Sequence, residues 1–186
     1  SYEKSTSKSA VKMPKGILRD SGLTHFLANI DSREKLIRSA NVGQNFESFI
    51  IEEIIKGIQC SKATNWNYYY YRTKHGAEVD LVLEGSFGVL PIEIKFGMTT
   101  RSTQIASLKR FVSDNSLPVG IVINNSTEVK TLAENIVQVP ATLIWVAVLT
   151  VIRPGPVGQI QKVPEADLEV GVGDSVPESL PSDLNG

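Results

Sequence analysis

The chain has 186 residues, 41% of them hydrophobic and 21% charged, which suits one globular domain with a sizeable core. A lone cysteine, Cys60, excludes an internal disulfide framework, and the longest apolar run, residues 141–152, is too short to span a bilayer. The formal net charge of −1 conceals an asymmetry: the last 23 residues hold six acids and no Lys or Arg, so the remainder is mildly basic, at about +5, well short of a dedicated nucleic-acid binder.

Residues 1–15, rich in Ser and Lys, read as a flexible lead-in, and residues 16–152 as the folded domain. No secretory leader is evident at the start of the sequence, so a reducing cytoplasm is the expected compartment. No phosphate loop of the G-x-x-x-x-G-K-[ST] type occurs. Asp20-Ser21-Gly22 suits a cap or turn before residues 23–30, and Asp31 with Glu34 has capping-box spacing for a helix beginning at Ser32. A longer helix is predicted over about 43–58. Its apolar set Val42, Phe46, Phe49, Ile50, Ile54 and Ile58 forms one stripe, with Glu47 and Glu53 inside the same sector. An acid at such a margin needs a partner, which is either a lysine at the helix edge or a functional group.

Trp66 and the tyrosines 68–71 suit a strand over 67–73, because aromatic residues fit a pleated, half-buried surface. Four tyrosines also make a stacking platform for bases; sheet packing is preferred, with alternate tyrosines inward. Thr73 to Gly76 reads as a turn, with His75 exposed in it, and His25 reads as helix packing. Strands follow over 78–84 and 89–95, joined through Gly85-Ser86-Phe87-Gly88 as an antiparallel hairpin. Strict alternation puts Val79, Leu81 and Leu83 on one face, and Glu78, Asp80, Val82 and Glu84 on the other. Likewise Glu93 and Lys95 share a face opposite Ile92 and Ile94.

Asp80 and Glu93 can therefore converge, and paired carboxylates offer hard oxygen ligands to Mg²⁺ or Mn²⁺. The same spacing also suits a solvated sheet face with Lys95 paired to an acid. Beyond it, a helix is expected over 102–114, carrying Gln104 in its first turns and Arg101, Lys109 and Arg110 for phosphates or solvent. The run Pro118 to Asn124 fits a strand buried on both faces, which makes a βαβ crossover with the strand of Glu93 parallel to it. A short strand over 136–139 and an apolar closing segment over 141–152 complete the domain. Residues 153–186, acidic and rich in Pro, Gly and Ser, read as a disordered tail.

The order of a helical Glu47, then Asp80, then Glu93-Ile94-Lys95 resembles the PD-(D/E)xK nuclease superfamily, although Val79 stands where the family name has proline. A closer likeness is to the domain of unassigned function that follows the ATPase module in a family of bacterial and archaeal P-loop ATPases. It is carried by Asp20-Ser21-Gly22-Leu23, Val42 to Ile50, Tyr71-Arg72 with Gly76 to Asp80, and Ile92 to Lys95, and covers about residues 16–140. The resemblance implies an α/β fold with a restriction-endonuclease-like mixed central sheet flanked by helices. It implies Mg²⁺- or Mn²⁺-dependent cleavage of DNA, with Asp80, Glu93 and Glu47 as metal ligands and Lys95, Glu47 and Gln104 in catalysis. Arg72, Lys74 and Arg101 are the expected nucleic-acid contacts. The alternative is an inactive DNA- or protein-docking domain of a P-loop ATPase, acting in cis or in trans.

Overall fold

A computed structural model describes residues 19–73 and 76–146; Lys74, His75, the lead-in and the residues from 147 onward, with the tail expected there, lie outside the described residues. In chain order come α1 (Ser21–Leu27), α2 (Arg33–Arg38), α3 (Val42–Gln59), β1 (Asn67–Arg72), β2 (Glu78–Gly85) and β3 (Gly88–Ile94). A 3₁₀ turn (Ser102–Ile105) leads into α4 (Ala106–Asp114), followed by β4 (Gly120–Asn124), β5 (Lys130–Ala133) and β6 (Ile136–Pro140). One mixed six-stranded sheet has the order β1-β2-β3-β4-β6-β5. The β1-β2-β3 meander is antiparallel, β4 runs parallel to both β3 and β6, and β5 closes the far edge antiparallel to β6.

The hairpin and the crossover both form as expected. Gly85 pairs with Gly88 across a two-residue turn, and Gly88 takes φ +93°, a conformation that side chains resist. Pro91 lies within the central strand β3 without breaking a rung. The backbone N–H of Lys95 donates to Ile123 on β4, so by alternation the absent N–H of Pro91 would face β4 too, yet β4 pairs only from Ile92 onward.

The sheet divides two apolar layers. On one side Ile50, Ile51, Ile54, Ile55 and Ile58 of α3 pack on Leu81, Leu83, Leu90, Ile92, Ile94, Ile121 and Ile123. On the other, Leu108, Phe111 and Val112 of α4 pack on Val79, Val82, Val122 and Ile136. Gly120 permits this second contact, because a Cβ there would meet Val112, Ile136 and Leu108 at once. Tyr69 and Tyr71 join the α4 layer, Tyr71 edge-on to Phe111 at 4.8 Å between centroids, while Tyr68 is exposed. Tyrosine packing therefore alternates as expected.

Four details of the sequence reading change. Phe49 is exposed, and Ile51 and Ile55 are buried in its place, because the face of α3 that packs on the sheet is turned toward Ile51 and Ile55 and away from Phe49. The cap of α2 is Ser32, whose Oγ accepts from the Lys35 N–H, while Asp31 pairs with the Lys35 ammonium at 2.7 Å. The helix predicted from residue 102 begins as a 3₁₀ turn. Strand β5, only four residues long and half exposed, was not expected.

Candidate functional site

The chemistry-bearing residues gather where β3 ends and β2 begins, at a break in the β1-β2 register. Tyr69 pairs with Val82, but Tyr71 pairs with Val79, so Asp80 and Leu81 together span the place opposite Tyr70. This is a β-bulge, and bulges re-aim side chains. Strict alternation consequently fails at Val79, which packs with Val82 in the α4 layer instead of with Leu81 and Leu83. The ladder from β2 to β3 is paired only as far as Leu81 and Ile92. Beyond it Asp80 substitutes a side chain for a backbone partner, its Oδ2 accepting the Ile94 N–H at 2.8 Å.

Ile92 and Ile94 face the α3 layer, so Glu93 and Lys95 project to the opposite side, as the two-residue spacing predicts. The Lys95 ammonium lies 2.5 Å from Glu93 Oε1 and 3.5 Å from Asp80 Oδ2. The Glu93 and Asp80 side chains are 7% and 9% exposed and that of Lys95 26%, so the triad is a recessed cluster and not a solvated face. Glu93 Oε2 is buried without a hydrogen-bond partner.

Burial pushes the Glu93 carboxyl up to about 7, helped by the neighbouring charge of Asp80 and, further off, of Glu47, and opposed by Lys95. Burial alone would lower the Lys95 ammonium, but Asp80 and Glu93 outweigh it and hold it above the usual lysine range. Glu47, in the second turn of α3, is thus near enough to be felt by Glu93. Among the described residues, however, no three His, Cys, Asp or Glu side chains converge closely enough to hold a metal together. The direct set is Asp80 and Glu93, with Glu47 at longer range.

Of the other expected residues, Gln104 is exposed and its Oε1 accepts the backbone N–H of Arg101 at 2.8 Å, which gives it a capping role. Arg101 is exposed beside it. Arg72 sits across from Glu78, its guanidinium 2.8 Å from that carboxylate. Lys109 donates to Ser102 Oγ at 3.2 Å. Lys74 lies outside the described residues.

The model described as "Domain of unknown function (DUF4143)" matches residues 42–144. This chain belongs to that family. Two curated relatives, the uncharacterized proteins Rv2008c of Mycobacterium tuberculosis and Mb2031c of Mycobacterium bovis, are each 30% identical to it over 133 residues. That stretch covers 72% of this chain and 29% of either relative, so the chain spans less than a third of their length. No solved structure matches it. The stretch matched to DUF4143 takes in Glu47, Asp80, Glu93, Lys95 and Gln104, and leaves out α1 and α2.

Within the same matched stretch lies a polar network that the sequence reading missed. Asn124 is fully buried at the end of β4; its Nδ2 donates to Gln138 Oε1 at 2.9 Å and Thr100 Oγ1 at 3.0 Å, and its Oδ1 accepts from Ser126 N–H. Asn125 Nδ2 donates to the Phe96 carbonyl, and Asn125 N–H to that of Gly97. The loop that leaves Lys95 is therefore pinned to the carboxyl end of β4, where Asn124 is held in turn by Gln138 of β6. The legible signal was polarity inside an apolar run: Gln138 interrupts Ile136-Val137 and Val139, and a buried amide has to be satisfied. Glu52 was missed too: it is buried on α3, with Oε1 2.9 Å from Arg19 Nε.

Proposed function

We propose that this domain hydrolyses DNA phosphodiester bonds with Mg²⁺ or Mn²⁺, as a nuclease of the PD-(D/E)xK type. The observation that carries this reading is the charge balance at the bulge. Asp80 and Glu93 face one ammonium between them, and one buried oxygen of Glu93 has no donor. A recessed anionic surplus of that kind suits a hard divalent cation. Asp80, Glu93 and the Ile94 carbonyl would hold it, with Glu47 acting through a water molecule. When bound, the cation lowers the pKa of its water and offsets phosphate charge.

The chain's own residues supply the remainder. Asp80 is fixed by the Ile94 N–H, so its carboxylate is oriented before any ligand arrives. Lys95 donates to the attacking water or the scissile phosphate, from a stem whose backbone is tied to Ile123. Arg101, Arg72 and Lys74 are the candidates for phosphate contacts along the duplex. The sequence holds no evident element for reading base edges, which favours structure-specific or nonspecific cutting.

Purified protein should nick supercoiled or branched DNA with Mn²⁺, and Asp80→Ala or Glu93→Ala should abolish nicking while leaving the fold and DNA binding largely unchanged. Absence of cleavage on every DNA form, together with no carboxylate-dependent Mn²⁺ binding, overturns the reading.

One observation favours a second reading, a docking arm within a longer P-loop ATPase or beside one. Helices α1 and α2 bury none of their residues and leave Leu23, Phe26, Leu27 and Ile37 exposed, Phe26 by 77%. The longer relatives contain polypeptide to cover such a face.

A further inference from the structure

We propose that the Lys95 ammonium occupies the seat of the divalent cation, and that its displacement couples cation binding to phosphodiester binding. The inference rests on the nuclease reading above and adds to it a role for Lys95 before catalysis, as an internal competitor.

The geometry is that of a lysine closing its own site. Nζ lies 2.5 Å from Glu93 Oε1 and 3.5 Å from Asp80 Oδ2, and so contacts one oxygen of each carboxylate that a bridging cation would draw on. A Mg²⁺-sized ion requires oxygen ligands at about 2.0–2.1 Å in near-octahedral array. An ammonium hydrogen-bonded to the same oxygens blocks that approach, and two positive charges at such a distance repel strongly in a recessed site.

One of the two therefore has to leave, and the carboxylates cannot follow Lys95. Asp80 Oδ2 is held by the Ile94 N–H, and the Glu93 side chain is buried, 7% exposed. The Lys95 backbone is equally fixed, by its N–H to Ile123. Only the four-carbon stem is free to swing, and the Lys95 side chain is the most exposed of the three. An expelled ammonium loses two anionic partners, and a phosphodiester oxygen at the site mouth supplies a new one. Cation and phosphodiester then strengthen each other's binding, and by linkage the coupling is reciprocal.

Lys95→Met keeps the stem and removes the charge, whereas Lys95→Arg keeps the charge. Calorimetric titration of Mn²⁺ into the wild type and both variants reads the competition directly. Repeating it in the presence of a short duplex with phosphorothioate linkages, which slow hydrolysis, reads the coupling. Lys95→Met should bind Mn²⁺ about tenfold tighter or more, equivalent to at least ~1.4 kcal/mol, with a smaller gain from the duplex than the wild type shows. Wild type and Lys95→Arg should bind weakly alone and gain on adding the duplex. Matching melting transitions establish that the variants fold. Equal or weaker Mn²⁺ binding by Lys95→Met overturns the competition and leaves the nuclease reading standing, while absence of Mn²⁺ binding in all three proteins overturns both.

Discussion

Two buried glutamates divide the molecule instructively. Glu52 on α3 and Glu93 on β3 are buried to almost the same degree, and each has one oxygen paired with a cation and one without a partner. Glu52 meets Arg19, one acid to one base, at a corner where the partner is mostly exposed. Glu93 shares a single ammonium with Asp80 and feels Glu47 as well. Burial alone does not mark a functional carboxylate; what distinguishes Glu93 is burial beside a like charge, so that Asp80 and Glu93 have one ammonium between them.

The widest separation between the two should be in activity. Glu93→Gln should reduce Mn²⁺-dependent DNA cleavage by more than about a hundredfold, the scale of losing a principal electrostatic group, whereas Glu52→Gln should leave the rate near wild type. Equal losses in the two variants would erase the distinction.

Stability against pH should separate them next. The folded carboxyl of Glu93 is raised to about 7 from an ordinary 4.5, so between those values the folded state binds more protons than the unfolded one. Its contribution therefore falls as pH rises from 4.5 to 7 and is level outside that window, with a slope of at most about 1.4 kcal/mol per pH unit for one proton. Urea midpoints for Glu93→Gln should lack this slope, and added Mg²⁺ should offset it in the wild type. A slope unchanged in Glu93→Gln counts against burial as its source.

Arg19→Ala tests the other corner. It leaves the Glu52 carboxylate buried without its cation, which should lower the urea midpoint, by less than losing a buried pair would because Arg19 is largely in water. No comparable loss is expected in cleavage. The smallest effect should be that of Gln104→Ala, about 0.5–1 kcal/mol of stability from the lost cap. A drop in cleavage of a hundredfold or more would instead place Gln104 in catalysis.

Local patterning carried much of this fold. The turn formers between Gly85 and Gly88, the apolar run ending at Asn124 and the helical spacing before it were enough for a hairpin and a crossover, because each depends on neighbours in sequence. The aim of Asp80 was less legible. Its bulge arises from pairing with Tyr69 and Tyr71, and no period-2 reading of β2 alone contains that information. The burial of Ile51 and Ile55 in place of Phe49 likewise depends on how the sheet lies across α3. Within the site, the shared face of Glu93 and Lys95 was visible from spacing and the hairpin brought Asp80 within reach, but the Asn124 and Gln138 clamp required knowing that β4 and β6 are neighbours.

The two acids of the triad sit on a single hairpin with a two-residue turn, which bears on the order of assembly. Such a hairpin closes on the order of 1–10 μs, whereas the β3-β4 pairing that buries Glu93 has to wait for the chain through α4 to return. Asp80 and Glu93 thus come together while still hydrated, and only the late docking of β4 strips their water. The transition state for folding should accordingly be insensitive to charge at position 93, with the effect of Glu93→Gln confined to the unfolding rate.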